Sequence, residues 1–264
     1  MAKIPNARKT NLTKKRISRT AVKSKNIYKY VGPERFDAVF QSANFSTLKC
    51  SLPGDFNDPY ELFLTIDFNE RPDALAYYAD LIGDLPQHPT TCFSRSPIVL
   101  PMWAHYAQNL SGFVIEFSED ELARGISEST FDDVTYSDSP KSELSEMLYR
   151  AYVIGKFRYA YFLQRGVLHT AYFTKASCWS YEQERRLVVP TSATPQEGQL
   201  TLLDVPCSCI TSVIAGPRAG ERTKQLLAQR AKHVGCNYFE LRIGRSSAIP
   251  FLVDQTGQPF IHPR

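Results

Sequence analysis

The chain has 264 residues, of which 43% are hydrophobic and 12% aromatic. This apolar content is sufficient for a packed core and excludes a disordered protein. The sequence contains no run of about 18 apolar residues and no apolar segment behind its charged N-terminus, so it predicts neither a membrane span nor a secretory signal. We expect a cytoplasmic protein without membrane partners, and the six scattered cysteines predict reduced thiols and no resident metal.

The net charge of +4 is unevenly distributed along the chain. Residues 1–29 contain ten Lys or Arg and no acidic residue, so the remainder holds 21 basic and 27 acidic residues. We interpret residues 1–26 as a basic flexible arm, suited to nucleic-acid phosphates and equally to a role as a solubilising leader. Residues 27–264 are predicted to form a single domain.

The hydrophobic pattern predicts the elements that follow the arm. In chain order they are strand 27–31, helix 34–43, strand 45–50, a helix beginning after Asp58, helix 71–84, strand 90–94, helix 101–107, strand 112–117, helix 143–164, strands over 187–189, 200–203 and 210–214, helix 221–234 and strand 238–243. Together they predict an α+β fold with a mixed, mostly antiparallel sheet core and packed helices.

Asn57 and Asp58 stand at a predicted helix start. Asp58 as N-cap, Pro59 at the first helical position and Glu61 three residues after the cap form a capping box. A substrate-binding role for Asn57 and Asp58 is the alternative to this structural one.

Glu182 and Glu184 stand two residues apart, directly before an apolar run. If the segment is extended, both carboxylates project from one face. Two neighbouring carboxylates can differ in pKa, so that one stabilises positive charge while the other orients a substrate or accepts a proton. The alternative is a solvated strand on which both pair with Lys175, Arg185 or Arg186.

The predicted helix 101–107 carries a group of aromatic residues. Met102 and Trp103 lie four and three residues before Tyr106, so the three share one helix face. His105 stands beside them and is suited either to packing or to catalysis.

Seven motifs match a known family in order and rough spacing. They are Tyr28-Lys29-Tyr30, the segment Phe56 to Glu61, Phe93-Ser94, Met102 to Ala107 with Gly112 to Phe117, Lys175, Trp179 to Arg186, and Ile210 to Gly216. They resemble a bacterial domain-of-unknown-function family, number twenty-nine seventy-one, over residues 27 to about 245.

A second similarity concerns the order of the elements. A first strand with an aromatic–basic pair, a helix, a Phe-Ser strand and a late glutamate before an apolar strand look like the layout of ADP-ribosyltransferases, including toxins that modify nucleic acids. The resemblance implies NAD as substrate, with a late glutamate that stabilises the cation formed as nicotinamide leaves. The first-strand residue of that superfamily is usually Arg or His, whereas here it is Tyr28 or Lys29.

These considerations assign candidate roles to twelve residues. The catalytic candidates are Glu184, Glu182 and His105; the NAD-binding candidates are Tyr28, Lys29, Ser94, Trp103, Tyr106, Lys175 and Tyr181; the substrate-binding candidates are Asn57 and Asp58.

The sequence leaves three functions open. The first is an NAD-consuming transferase that acts on nucleic acid or protein, in a toxin or antiphage role and with an inhibitory protein partner; it predicts that Tyr28, Ser94, His105 and Glu184 line one cleft. The second is a non-catalytic binding module. The third is a metal-dependent nuclease or other hydrolase whose candidate residues are His105, Asp58, Glu182, Glu184 and Lys175.

Overall fold

The computed structural model describes residues 26–58, 87–139, 169–170, 172–194, 196–197, 200–245 and 248–260, with residues 146, 153 and 166 singly. The arm up to residue 25, the capping box beyond Asp58 and the predicted helix 71–84 lie outside the described residues. So does the predicted helix 143–164, apart from Glu146 and Val153, which are helical. The assignment of residues 27–264 to one domain stays a prediction.

The described elements comprise strands, α-helices and short 3-10 helices. The strands are β1 (Asn26–Val31), β2 (Phe45–Cys50), β3 (Thr90–Ser94), β4 (Phe113–Ser118), β5 (Thr130–Asp133), β6 (Thr135–Tyr136), β7 (Thr174–Lys175), β8 (Glu184–Val188), β9 (Gln196–Glu197), β10 (Leu200–Pro206), β11 (Ile210–Ala215), β12 (Asn237–Arg242), β13 (Phe251–Val253) and β14 (Pro259–Phe260). The α-helices are α1 (Phe36–Val39), α2 (Leu100–Tyr106), α3 (Glu119–Gly125) and α4 (Glu221–Val234). The 3-10 helices are Pro33–Arg35, Pro53–Asp55, Ser177–Glu182, Thr191–Ala193 and Cys207–Cys209. No helix in these described stretches is long and apolar enough to cross a lipid bilayer.

A nine-stranded sheet organises the described part of the chain, in the order β14-β13-β12-β11-β4-β1-β3-β8-β5. Its pairs are antiparallel except for β11 with β12. A second sheet has the order β2-β10-β9, and β6 pairs with β7 in a third. This mixed, mostly antiparallel sheet with packed helices confirms the predicted α+β fold class.

Both faces of the large sheet are covered by apolar side chains. On β1, Ile27 and Val31 join the core cluster of one face, while Tyr28 and Tyr30 join the cluster of the other. This alternation follows from the period of two along a strand. All six residues of β4 are buried, as expected for a central strand.

Helix α1 is shorter than predicted. It ends at Val39 instead of residue 43, because Phe40 leaves the helical region at φ −114° and ψ 39°. The Phe36 and Phe40 rings both pack against Phe113, with centroids 5.9 and 6.1 Å away. The chain then turns, and the Ser42 hydroxyl accepts a hydrogen bond from Asn44 N at 3.2 Å, a local contact that competes with helix continuation.

The sheet opens between β1 and β3. β1 pairs with β4 over six residues but with β3 only through Tyr28 and Ser94. Beyond that pair the Lys29 ammonium bridges the two strands, donating to the carbonyl oxygen of Cys92 and to Thr91 Oγ1, each at 2.9 Å. This separation positions the site described next.

Candidate functional site

A cavity of about 180 Å³ lies where β1 separates from β3. It is lined by Tyr28, Lys29, Tyr30, Lys49, Ser51, Asp55, Phe56, Asn57, Thr90, Cys92, Phe93, Ser94, Met102, Tyr106, Lys175, Glu182, Glu184 and Arg186. Eight of the twelve residues selected from the sequence line it, and the other four do not.

Three of the selected residues form a row across the sheet. Tyr28 on β1 stands opposite Ser94 on β3, and Ser94 stands opposite Glu184 on β8. Residues directly opposite each other in antiparallel strands point to the same face. The row therefore directs a phenol, a hydroxyl and a carboxylate to one side of the sheet, where all three line the cavity.

Glu182 and Glu184 converge, but not as neighbours on an extended strand. Glu182 ends the 3-10 helix Ser177–Glu182, and Gln183 adopts the left-handed conformation with φ 47° before Glu184 begins β8. The Ser94 hydroxyl fixes this junction by donating to the Glu182 carbonyl oxygen at 2.7 Å. The extended geometry expected for the pair is therefore wrong, although the carboxylates do meet.

Both carboxylates are buried, which corrects the alternative of a solvated strand. Glu182 is 2% exposed and Glu184 5%. Glu182 Oε2 accepts from Lys175 Nζ at 2.7 Å, and Oε1 accepts from the Tyr106 hydroxyl at 2.6 Å. Burial, followed by the hydrogen bond and charge of Glu182, raises the pKa of Tyr106 above its usual range.

Glu184 is held by two cations. Arg186 donates from Nε to Oε1 at 2.7 Å and from Nη2 to Oε2 at 3.1 Å, and Lys175 Nζ lies 3.3 Å from Oε2. Burial by itself raises the pKa of Glu184, but the Arg186 charge, the Arg186 hydrogen bonds and the Lys175 charge outweigh it and lower the pKa to about 2. Glu184 is therefore a fixed anion at neutral pH.

Arg186 is a member of the site that the sequence indicated only as an ion-pair partner. Its side chain is 1% exposed, donates from Nη1 to the carbonyl oxygen of Tyr172 at 2.6 Å and places its guanidinium 4.8 Å from the Phe56 ring centroid. The available signal was its spacing of two from Glu184, which puts both side chains on one face of β8.

Glu116 supports Tyr28 and was not selected from the sequence. Its Oε1 accepts from the Tyr28 hydroxyl and from Asn26 Nδ2, each at 2.8 Å, and its Oε2 accepts from the Ser212 hydroxyl. Burial and the Glu116 charge raise the pKa of Tyr28 well above its usual range. The signal in the sequence was a single carboxylate within the apolar strand Phe113–Ser118.

Lys29 contributes a cation to the cavity. Burial lowers the pKa of its ammonium group, offset in part by nearby groups that include Glu184. No carboxylate among the described residues forms an ion pair with Lys29 or with the exposed Lys49, which also lines the cavity.

Trp103 and Asp58 do not line the cavity, contrary to their assigned binding roles. Trp103 is completely buried, and its indole Nε1 donates to the carbonyl oxygen of Pro97 at 2.8 Å, so it acts in the core. Asp58 is 4% exposed, and its Oδ2 accepts from Ala176 N at 3.4 Å. This contact joins Asp58 to the segment that follows β7.

His105 and Tyr181 lie outside the cavity as well. His105 is exposed and Tyr181 is half-buried, with ring centroids 6.3 Å apart. Tyr106, the next residue of α2, points into the cavity because neighbouring helix positions face different directions. The predicted cleft therefore contains Tyr28, Ser94 and Glu184 without His105.

The comparisons with known proteins concern the segment that carries most of these contacts. Residues 102–187 match the family described as "Protein of unknown function (DUF2971)". This match supports the family predicted from the motifs over residues 102–187 of the predicted range 27–245. The DUF2971 segment covers about a third of the chain and runs from α2 into β8, so it includes Tyr106, Lys175, Glu182, Glu184 and Arg186. Neither the curated proteins nor the solved structures gave a significant match.

Proposed function

We propose that the protein is an NAD-consuming, ADP-ribosyltransferase-like enzyme that modifies nucleic acid or protein. The observation that carries the proposal is the row of Tyr28, Ser94 and Glu184 across three adjacent strands, beside a cavity that also contains Glu182. Such a row brings together the first-strand, Phe-Ser-strand and late-glutamate positions of the resemblance.

The size of the cavity suits one ring of the substrate. A cavity of about 150 Å³ in another protein accommodates benzene, so a space of about 180 Å³ accommodates a nicotinamide-sized ring. The rings of Tyr28, Phe56 and Tyr106 supply aromatic faces for it. Lys29 and Lys49 form no ion pair with a described carboxylate, and their ammonium groups favour an anionic group such as the pyrophosphate.

The ionised Glu184 suits the bond cleavage. In the proposed reaction the bond between ribose C1′ and the nicotinamide nitrogen breaks, and its electron pair leaves with neutral nicotinamide. A new bond forms between C1′ and an oxygen or nitrogen of the acceptor, whose proton passes to a base, for which Glu182 is our candidate. Positive charge develops at the ribose during this step, and a preorganised anion stabilises it.

Substrate binding must replace one of the contacts that Glu184 makes, and the contact with Lys175 is our candidate. The contact of Lys175 with Glu184 is 3.3 Å, longer than its 2.7 Å contact with Glu182 and than both Arg186 contacts with Glu184. It is thus the weakest of these hydrogen bonds and the easiest to replace by a ribose hydroxyl. Arg186 then keeps Glu184 ionised.

A non-catalytic binding module is the second candidate. One observation favours it: all four carboxylate oxygens of Glu182 and Glu184 already accept hydrogen bonds from the protein. A metal-dependent nuclease is less well supported, because a divalent ion would have to displace Lys175 or Arg186 from these oxygens.

Nicotinamide release tests the proposal. Full-length protein is incubated with NAD alone and with DNA, RNA or cell extract, and free nicotinamide is separated chromatographically. We expect release that Glu184→Gln abolishes while its circular dichroism spectrum stays that of the wild type. NAD binding without release would favour the binding module, and neither binding nor release in any mixture would contradict the transferase.

A further inference from the structure

Four neighbouring aromatic rings lie beside the cavity; we call them the aromatic rim. Tyr106 lines the cavity, and its ring centroid lies 6.3 Å from that of His105. His105 lies 6.3 Å from Tyr181, and Tyr181 lies 6.2 Å from Trp179. Lys175 Nζ lies 4.8 Å from the Trp179 ring centroid. The rim therefore begins at Tyr106 and ends beside Lys175, the two residues that donate to Glu182.

Three rings of the rim are at least partly exposed. Tyr181 and Trp179 belong to the 3-10 helix Ser177–Glu182, which is closed by a hydrogen bond from Trp179 N to the Ala176 carbonyl oxygen at 3.0 Å. His105 is exposed, and Tyr181 and Trp179 are half-buried. Partly exposed aromatic side chains beside a cavity supply contact area at low entropic cost, because each has only two rotatable side-chain bonds.

The strand register places the start of β1, where the basic segment joins it, at the same end of the sheet as the start of β8. Because Tyr28 faces Ser94 and Ser94 faces Glu184 in antiparallel pairs, the chain before Tyr28 and the chain before Glu184 lie at one end. The 3-10 helix with two rim residues joins β8 there, and residues 1–25 join β1 there. Those 25 residues contain nine Lys or Arg and no acidic residue.

We propose that the aromatic rim binds an unpaired nucleobase of a single-stranded nucleic acid by stacking. Aromatic side chains next to a basic segment are the usual combination for single strands, in which the rings stack bases and the cations contact phosphates. A duplex does not fit this surface, because its base faces are covered by neighbouring base pairs. The inference rests on the proposed function for one point only, that the stacked base is the acceptor presented to Glu182.

Direct binding measurements test this inference. Fluorescence anisotropy of labelled single-stranded DNA and RNA, with a duplex of the same sequence, is measured on the full chain without NAD. We expect single strands to bind more tightly than the duplex. Loss of one stacking ring in Tyr181→Leu weakens single-strand binding about tenfold or more, whereas Tyr181→Phe retains it.

A further variant tests the basic segment. Because binding is measured without NAD, failure of NAD turnover and failure of stacking are distinguishable. Replacement of Lys14, Lys15 and Arg16 by glutamine lowers the salt dependence of binding and keeps the preference for single strands. The inference is overturned if Tyr181→Leu, folded by circular dichroism, binds single strands as tightly as the wild type, or if duplex binds equally well.

Discussion

Strand β8 carries charged residues on both faces, and the two sets lie in different environments. On the cavity face, Glu184 and Arg186 meet Lys175, and the three side chains are 5%, 1% and 6% exposed. On the other face, Arg185 joins an outer network whose acidic members include Asp132 and Asp133, with side chains 46% and 56% exposed.

The two faces show how exposure to solvent sets the contribution of an ion pair to stability. In the outer network Arg95 Nη1 and Arg185 Nη2 each lie 2.6 Å from Glu119, and Arg95 Nε lies 2.8 Å from Asp133. Water can replace the exposed Asp132 and Asp133, so their pairs contribute little, whereas the side chains of Glu119 and Arg185 are 11% and 12% exposed and form a buried pair. On the cavity face no such replacement exists, and buried charge clusters of this kind are costly for stability and frequent at functional sites.

Removal of Lys175 from the cavity face should cause the largest loss of stability. Lys175→Met leaves two buried carboxylates with Arg186 as their remaining cation, and we expect the free energy of unfolding to fall by about 3–5 kcal/mol. Urea denaturation at neutral pH measures this. The matched control is Lys49→Met, an exposed lysine of the same cavity, for which a change within about 0.5 kcal/mol is expected. Equal effects of the two variants would show that burial does not set the difference.

The second-largest effect is expected in acid denaturation, where Glu184 on the cavity face should make stability depend on pH. The pKa of Glu184 is lowered in the folded state from 4.5 to about 2, so the unfolded chain binds more protons between these values. The corresponding stability, roughly 3 kcal/mol, is fully present above pH 4.5 and lost as the pH falls towards 2. Glu184→Gln should lack this part of the decline in denaturant titrations. An unchanged acid profile would mean that Glu184 is not held as a buried anion.

Gln183 tests how the cavity face is assembled. Its left-handed φ of 47° brings Glu182 beside Glu184. A β-branched side chain is strained there, so Gln183→Val should lower the free energy of unfolding by about 1–2 kcal/mol. Gln183→Gly relieves the strain but adds unfolded-state entropy, and we expect a change within about 0.5 kcal/mol. Thermal unfolding compares the two, and the reverse order would contradict the assigned backbone conformation.

The outer network should give the smallest effect. Asp133→Asn removes an exposed partner of Arg95 and Arg185, and we expect a loss below about 1 kcal/mol that disappears in high salt. Urea denaturation at low and high ionic strength measures it. A loss as large as that of Lys175→Met would remove the distinction between the faces.

The sequence predicted the long elements well, because their patterns have local causes. β4 and β11 are apolar, β-branched runs, and α4 ends at Gly235, whose φ of 78° suits a glycine C-cap. The short strands β5, β6, β13 and β14 were not predicted, because two to four residues carry no period and depend on their partners in the sheet.

The sequence predicted part of the site, again where a local pattern indicates a strand. Tyr28 and Ser94 stand in the predicted strands 27–31 and 90–94, whereas Glu184 lies three residues before the predicted strand 187–189 and the register was not predicted. Gln183 was missed because a left-handed glutamine has no sequence signal, and His105 was wrongly placed in the cleft because its direction depends on the packing of α2. The resemblance named the residue types but could not give their burial.

The most direct test compares Glu184 of β8 with Glu119 of α3, a buried glutamate that pairs with Arg185 on the other face of β8. Glu184 and Glu119 are 5% and 8% exposed, and both are paired with arginines. The rate of nicotinamide release from NAD is measured for Glu184→Gln and Glu119→Gln at equal folded fractions. The account predicts that Glu184→Gln abolishes release and Glu119→Gln retains the wild-type rate. Equal loss in both variants, or full activity in Glu184→Gln, would contradict the assignment of function to the cavity face.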